Sequence, residues 1–456
     1  MRIIIIGAGK VGSAVAEMLS NMEHDVVVID RDSERVQRCV SNFDTSGIVG
    51  SGTNYDILKE AGVAKAHLLL AVTGSDESNL LSCLLAKKAG AKETVARIEN
   101  PEYFERFEIM KADLGLSMTV NPDDMAAGDI ARQLRLPYAD KVDFCASGRA
   151  EIVGFNVAEA CPIVGMTMRD VRGKFGDVLV CVIKRGDKII IPSGNTTIEV
   201  GDELHITAKP KNIVNFFKKI KLFTVKPKKV MLLGGGRIAY YLAEELIDMG
   251  MKVTIVEEKK ARAEELSVML PEANVILGDG TDQAVLIEEG IDDMDAVITL
   301  MDADEENIII SLFAKSREID KVITKVKKRT LSKFLYDSLK IESIISPHWV
   351  AANRIVSYIR GKANTTQDSK IDAIYKMADE KAEALEFRIL DEKAEYVDIP
   401  LKMLKLRPDV IISGILRGND LIIPGGDDVI KALDTVLAVT AYNEDNPIID
   451  FHDLLK

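Results

Sequence analysis

Two short stretches carry the residue types that grip a phosphate: GAGKVG at 7 to 12 and GGGRIA at 234 to 239. Each follows an apolar run and opens a helical pattern, the G-x-G-x-x-G/A spacing of a nucleotide-binding crossover. In the first, Gly7 permits the tight turn, Gly9 removes the Cβ that would block a pyrophosphate, and Gly12 lets the helix approach the strand. Ala8, Lys10 and Val11 complete the loop, and the helix N-terminus offers free N–H groups and partial positive charge to an anion. Asp30 closes the next apolar run, 18 residues beyond Gly12. A carboxylate there accepts both ribose hydroxyls and repels a 2′-phosphate, which favours NAD(H) or another unphosphorylated adenosine ribose over NADP. Arg31 follows directly and softens that exclusion. An empty crossover that keeps its glycines for structure alone is the alternative.

The second loop offers Gly234, Gly236, Arg237 and Ile238, with Ala239 in place of the third glycine and Glu257 in place of Asp30. Arg237 stands where Lys10 does, at the position that points over the phosphates, and a guanidinium suits a polyphosphate better than an ammonium. The expectation is a second adenine-nucleotide site with a different preference, ATP or ADP rather than NAD(H). Further candidates lie where the other strands of each sheet end: Thr53 in GSGT, Thr73 and Gly74, and Arg97, whose fork can reach a phosphate oxygen. Their second-half counterparts are Thr281 in GDGT, then Met301 and Asp302, and Lys325, so that wall is bulkier, more acidic and without the fork. Asp76 and Glu77 are expected to support the cap of the helix starting at Ser75.

Two loops exist because the chain is duplicated. Gly7, Gly9, Gly12 and Asp30 fall in step on Gly234, Gly236, Ala239 and Glu257. SDESN (75–79) matches ADEEN (303–307), Arg97 matches Lys325, and Pro122 matches Pro347. The correspondence continues to RGDKIIIPSG over RGNDLIIPGG. In the first half, IIII (3–6), VVVI (26–29), SGIV (46–49), LLLAV (68–72) and TVARI (94–98) read as buried strands alternating with amphipathic helices. That is the grammar of a parallel, doubly wound sheet. After Tyr138, AEIVGFNV, VLVCVIKRGDKIIIP and DELHITA read as short alternating strands with RGDK as a hairpin turn. The predicted fold class is α/β: two tandem Rossmann-like doubly wound parallel-sheet domains, each followed by a small α+β module. The expected divisions are 1–138, 139–222, a lysine-rich linker at 223–228, 229–365 and 366–456. The helices expected at 123–135 and 348–360 carry Met125, Ile130 and Leu134, and Val350, Ile355 and Ile359, at helical spacing. They read either as a clasp between domains or subunits or as plain core, with Trp349 in a packed interface.

Bulk properties bound the function. At 456 residues several domains are expected, and 47% hydrophobic with 29% charged residues describes an ordinary folded chain. A net charge of −13 argues against nucleic-acid binding. Cys39, Cys83, Cys145, Cys161 and Cys181 form no C-x-x-C pair, which suggests reduced, buried thiols and a cytosolic setting. The histidines show no metal-ligand spacing. The opening isoleucines run into Gly7 and read as a strand rather than a signal peptide, and no apolar run approaches the length of a membrane span. The lysines clustered from Lys218 to Lys229 read as a solvated linker or as a docking patch for an acidic partner. Asp187, Asp202, Asp420, Asp427 and Asp428 read as turn residues of the small modules.

MRIIIIGAGKVG, DRDSERV, GSGT, ARIENPEY, the midchain GGGRIA and the RGDKIIIPSG hairpin together resemble the regulatory subunits of Trk-type bacterial potassium uptake, the TrkA family of tandem RCK (KTN) proteins. The resemblance spans essentially the whole chain. It implies a cytoplasmic subunit peripheral to the inner face of the membrane, a homotetramer that forms an eight-domain ring beneath a membrane potassium-translocating partner. It also implies gating of that partner by NAD(H) and by ATP or ADP. The family's dinucleotide contacts carry over onto Gly7, Ala8, Gly9, Lys10, Val11, Asp30, Thr73, Gly74 and Arg97. Two rival functions remain open at this stage. An NAD-dependent oxidoreductase would need a general acid or base, for which His205 and Lys184 are the candidates. A nucleotide-sensing regulator of a different cation transporter would share every feature named here.

Overall fold

The computed structural model describes residues 1–20, 22, 24–100, 103, 114–135, 141–145, 149–222, 227–327, 335, 339, 341, 343–363, 371–378, 381–418, 420–442, 448 and 450–456. Residues 223–226 of the lysine-rich linker, Pro101 and Glu102 of ARIENPEY, and the divisions expected at 138/139 and 365/366 lie outside the described residues.

The chain forms two compact units, one of residues 1–134 with 227–356, the other of residues 135–226 with 357–456. The first unit holds two lobes of one design. In the first lobe the strands β1 (Arg2–Ile6), β2 (Asp25–Asp30), β3 (Ser46–Val49), β4 (Leu68–Ala71), β5 (Glu93–Arg97) and β6 (Met118–Val120) form a parallel sheet in the order β3-β2-β1-β4-β5-β6. The reversal of strand order between β1 and β4 opens a crevice at the carboxyl ends, where ligands bind in sheets of this kind. β1 and β4 are buried along nearly their whole length, as continuous apolar runs covered by helices on both faces should be. β3 departs from the expectation of a buried strand. It lies at the sheet edge and is largely exposed, because only β2 pairs with it. β6 was not foreseen; three residues are too few for a periodic signal.

The second lobe repeats the order: β14-β13-β12-β15-β16-β17, with β12 at Lys229–Leu233, β13 at Lys252–Glu257, β14 at Asn274–Leu277, β15 at Ala296–Thr299, β16 at Lys321–Lys325 and β17 at Ser343–Ile345. The helix Pro122–Arg135 joins the two lobes. Its Ala126, Ala127, Ile130, Ala131 and Leu134 enter one apolar cluster with Val230, Ile238, Leu242 and Leu246 of the second lobe. It is therefore a clasp between lobes. The matching helix, Pro347–Ala363, buries Ala351, Ala352, Ile355, Val356 and Ile359, and Trp349 is half-buried.

The second unit holds two antiparallel five-stranded sheets, β10-β9-β11-β8-β7 and β18-β19-β22-β20-β21, which share one topology. Here β7 is Lys141–Cys145, β8 Ala150–Asn156, β9 Val178–Arg185, β10 Lys188–Ile190 and β11 Glu203–Ala208, while β18 is Ile371–Met377, β19 Ala382–Arg388, β20 Val410–Arg417, β21 Asp420–Ile422 and β22 Thr435–Ala441. Cys145, Cys181 and Ile152 of one sheet share a core with Ala384, Leu416 and Leu437 of the other. All five cysteines are buried and free. Asp202 is no simple turn residue. It is fully buried and accepts both Nε (2.7 Å) and Nη2 (2.9 Å) of Arg185, as Asp434 does for Arg417. Asp187 and Asp427 pair with Lys381 and Lys402, Asp428 accepts the Gly425 N–H, and Asp420 is exposed at the start of β21. No helix among the described residues is long and apolar enough to cross a membrane.

Candidate functional site

The first loop turns where the sequence demands glycine. Gly7 sits at φ +104°, a left-handed conformation, and a Cβ on Gly12 would lie 1.8 Å from the Gly7 carbonyl oxygen. Gly9 is different in kind. A Cβ built there meets nothing within 4 Å, so this glycine leaves open space above the loop, which suits a pyrophosphate. The Asp30 carboxylate holds the loop in place. Its Oδ2 accepts the Ala8 N–H at 2.7 Å and its Oδ1 the Asp32 N–H at 2.9 Å. Each oxygen keeps acceptor capacity for a ribose hydroxyl. Arg31 turns to Ser51 Oγ (3.0 Å), and Ser51 in turn bonds Thr53 Oγ1 (2.8 Å), so Arg31 and Thr53 share one network beside β3.

The second loop reproduces this arrangement with different parts. Gly234 has φ +102°, Gly236 has open space where a Cβ would be, and Ala239 is fully buried in the position of Gly12. Ile238 is buried. Glu257 Oε2 accepts the Gly235 N–H at 2.7 Å and Oε1 the Lys259 N–H at 2.8 Å. Glu257 is only 8% exposed, and a Cβ on Gly235 would come within 2.9 Å of its Oε2. Leu266 Cδ1 would lie closer still, at 2.6 Å, so Glu257 and Leu266 together crowd the position that Ala8 holds in the first loop. Arg262, which sequence reasoning passed over, donates from Nε to the Gly235 carbonyl at 2.8 Å. Thr281 turns its hydroxyl onto Asp279 (2.7 Å).

Two buried asparagines fix the strand ends around each loop. Asn79 accepts Thr73 N–H (2.8 Å) and Oγ1 (2.7 Å) and donates to the carbonyls of Thr73 and Arg97. Asn307 does the same for Met301 and Lys325. The SDESN and ADEEN matches contained both asparagines, but the span from one strand end to the next is a tertiary fact. Asp76 also differs from expectation: Ser75 caps the helix, while the Asp76 carboxylate accepts the N–H groups of Glu99 and Asn100. Asp304 accepts the Lys327 N–H in the same manner. Gly74 has open space about it.

The basic residue of each loop faces the other lobe. Arg237 donates from Nε to Asp123 Oδ2 (2.7 Å) and from Nη2 to Glu99 Oε2 (2.8 Å), and Glu99 also pairs with Arg97. Lys10 lies among Lys327, Asp304 and Asp302 of the second lobe, and burial together with Lys327 lowers its pKa. Lys325 is buried, donates to the Leu300 carbonyl at 2.5 Å, and has its pKa lowered to about 8 by burial and then by Lys327. His348 is held down to about 4 by burial and by Lys10, Arg97 and Lys327 around it. Neither of its ring nitrogens has a hydrogen-bond partner among the described residues. His205, in the second unit, is fully buried with Nε2 at 3.1 Å from Glu203 Oε1, and Lys184 pairs with the same carboxylate.

The TrkA-N domain model matches residues 3–122 and 230–347, and the TrkA-C domain model matches residues 152–221 and 385–441. The chain is similar to the Trk system potassium uptake protein TrkA homolog of Archaeoglobus fulgidus, 34% identical across 97% of this chain and 98% of that one. It is also similar to the Trk system potassium uptake protein TrkA homolog 1 of Methanosarcina mazei, 32% identical across 96% of each. Among solved structures, the GsuK channel bound to NAD matches with a TM-score of 0.62 at 16% identity, over 96% of this chain and 76% of that one. GsuK bound to ADP matches with a TM-score of 0.50 at 15% identity, over 78% of this chain and 69% of that one. At such identity these likenesses establish a shared fold.

Proposed function

We propose, from the premise that this chain belongs to the TrkA family, that it is a nucleotide-sensing regulatory subunit of a potassium uptake system. It binds NAD(H) at the first loop and ATP or ADP at the second, and it acts on a membrane potassium-translocating partner of Trk type. The names of the relatives support the potassium assignment, and the NAD- and ADP-bound forms of a fold neighbour support the ligand class. Gly7, Gly9 and Gly12 with Asp30 hold the adenosine diphosphate moiety, while Thr53, Thr73, Gly74 and Arg97 line the remainder. Gly234, Gly236, Ile238, Glu257 and Thr281 do the same at the second loop. Assembly as a homotetrameric ring at the inner face of the membrane belongs to the same reading, as do the divisions at 138/139, 222/223, 228/229 and 365/366.

The observation that carries this reading is the reciprocal placement of Lys10 and Arg237, each against the opposite lobe. A ligand on either loop then works on the contact between lobes, and a conformational equilibrium responds without any bond being made or broken. His205 and Lys184, the residues an oxidoreductase would have used, are spent on Glu203. Potassium uptake by transport-deficient cells, with and without this chain, tests the assignment. Rescue by the wild type together with loss of NADH binding and of rescue in Asp30→Ala is the expected result. Wild-type protein that is folded yet neither rescues uptake nor releases heat with any adenine cofactor would refute it.

A further inference from the structure

At the amino ends of the strands, opposite the glycine loops, the two lobes differ in charge on one shared backbone. Arg2 opens β1 and Asp25 opens β2, and the two are paired across the sheet. Lys229 and Lys252 hold the equivalent places on β12 and β13. The Asp25 N–H bonds the Met1 carbonyl as the Lys252 N–H bonds the Lys228 carbonyl. Gly62 (φ +77°) and Gly290 (φ +78°) each lead, in the left-handed conformation, into a short 3₁₀ helix, Val63–Lys65 and Ile291–Asp293.

In the first lobe the Arg2 guanidinium fills the space beside Gly62. Its Nε (3.1 Å) and Nη2 (3.0 Å) donate to the Ala61 carbonyl, and its Nη1 donates to Asp25 Oδ2 at 3.0 Å. A Cβ on Gly62 would lie 3.0 Å from Arg2 Nε, whereas a Cβ on Gly290 would meet only Asp293 Oδ2, at 3.9 Å. Lys229 and Lys252 are both exposed, and like charges on directly paired strand residues repel. What remains in the second lobe is an open cleft of about 460 Å³, lined by both lysines and by Thr254, Glu272, Glu289 and Asp293. That volume is in the range of small-molecule sites.

The cleft keeps acceptors like those of the first lobe and lacks the donor between them. The Glu289 carbonyl stands where that of Ala61 takes two N–H groups, and Asp293 brings a carboxylate to the same space. Three carboxylates against two ammonium groups leave the lining net negative. A planar fork of N–H donors can serve a carbonyl and a carboxylate at once, which an ammonium group does less well. We propose that this cleft binds a small guanidinium compound, whose fork takes the place that Arg2 fills in the first lobe. The site lies at the opposite end of the sheet from the loop 234–239 and does not depend on that loop holding a nucleotide.

The test titrates arginine and lysine separately into the full chain by calorimetry, two probes of equal charge that share an amino-acid end and differ in the head. The expected result is saturable arginine binding, with lysine weaker by about tenfold or more, the worth of one further charge-assisted hydrogen bond. Lys229→Arg/Lys252→Asp installs the pair with which the first lobe already folds, and it should abolish arginine binding by filling the cleft from within. Asp293→Asn, at an exposed position, should weaken arginine by about tenfold and leave the unfolding temperature in place. Wild-type protein without saturable arginine binding would overturn the proposal. So would lysine bound as tightly as arginine, or arginine binding unmoved by Asp293→Asn and by the folded double variant.

Discussion

Arg237 Nε lies 2.7 Å from Asp123 Oδ2, so the side chain that opens the second glycine loop is held by the first lobe. Arg237 is 49% exposed and Asp123 17%, which sets the pair between a surface bridge and a buried one. A double-mutant cycle with Arg237→Ala and Asp123→Ala should give a coupling of about 1 kcal/mol in unfolding free energy. More informative is the effect on ligands. If the bridge transmits occupancy, each single variant should reduce the influence of a nucleotide on NADH affinity, and should do so while NADH affinity alone stays within about twofold. Calorimetric titration of NADH with and without ATP measures both quantities.

Gly235 and Glu257 form a matched pair. A methyl on Gly235 would press on Glu257 Oε2 at 2.9 Å and on Leu266 Cδ1 at 2.6 Å. Gly235→Ala should therefore destabilise the second lobe by about 1–3 kcal/mol, the usual penalty for overpacking. Shortening the acid in Gly235→Ala/Glu257→Asp recreates the Ala8–Asp30 pair of the first loop and should recover part of that loss. Thermal unfolding of the wild type, Gly235→Ala, Glu257→Asp and the double variant would show it. No recovery would mean that Leu266, not the acid, sets the limit.

In the second unit Asp202 and Asp434 each sit almost fully buried beneath an arginine fork. Removing either carboxylate takes away both fork contacts and frees the backbone N–H of Glu199 or Lys431, although Arg185 keeps Glu199 and the Thr197 carbonyl and Arg417 keeps the Val429 carbonyl. Asp202→Ala should cost about 1–3 kcal/mol, the usual penalty for leaving polar groups without their hydrogen-bond acceptor, because the Arg185 charge stays partly solvated and paired with Glu199. The equivalent change at Asp434 should cost about the same. The arginines are partly exposed, so the double variants Asp202→Ala/Arg185→Ala and Asp434→Ala/Arg417→Ala should be less damaging than either acid removal alone.

How far the sequence could be read depended on the range of each interaction. Parallel strands and glycine turns were legible because continuous apolar runs and G-x-G-x-x-G/A spacing are local consequences of burial on two faces and of a positive φ. The duplication extended that reading across the chain. The exposure of β3 was not legible, since SGIV reads as apolar whether it pairs on one side or two. Asn79 stood in plain view within SDESN, but its amide gains meaning only when Thr73 and Arg97 arrive at one place. Arg237 reads as a residue of its own loop until the helix Pro122–Arg135 carries Asp123 across to it. The opposed charges of Glu99 and Lys327 were present in the alignment of the halves, and only the shared bonds to Asp76 and Asp304 show that those positions are equivalent.

Acid and base should act on the second lobe through His348 and Lys325. The His348 imidazole is held near 4 against about 6.5 in an unfolded chain, so between those values the unfolded state binds the extra proton. Stability must then rise with pH across that window and fall as the solution is acidified through it. The groups that face His348 are Lys10, Arg97 and Lys327, which oppose its protonation, and Asp123, which favours it. Lys325 behaves alike in a higher window. Its ammonium loses a proton near 8 in the folded chain and near 10.4 unfolded, so its burial is destabilising below 8 and the penalty is relieved as pH rises toward 10. Lys325→Met should therefore exceed the wild type in stability at pH 7, by on the order of 1–3 kcal/mol, and the gap should narrow at pH 9.5. His348→Gln should lose less stability than the wild type when the pH drops from 6.5 to 4.5. Urea unfolding at the four pH values decides each case, and parallel curves for variant and wild type would show that neither group titrates in the folded chain as its surroundings require.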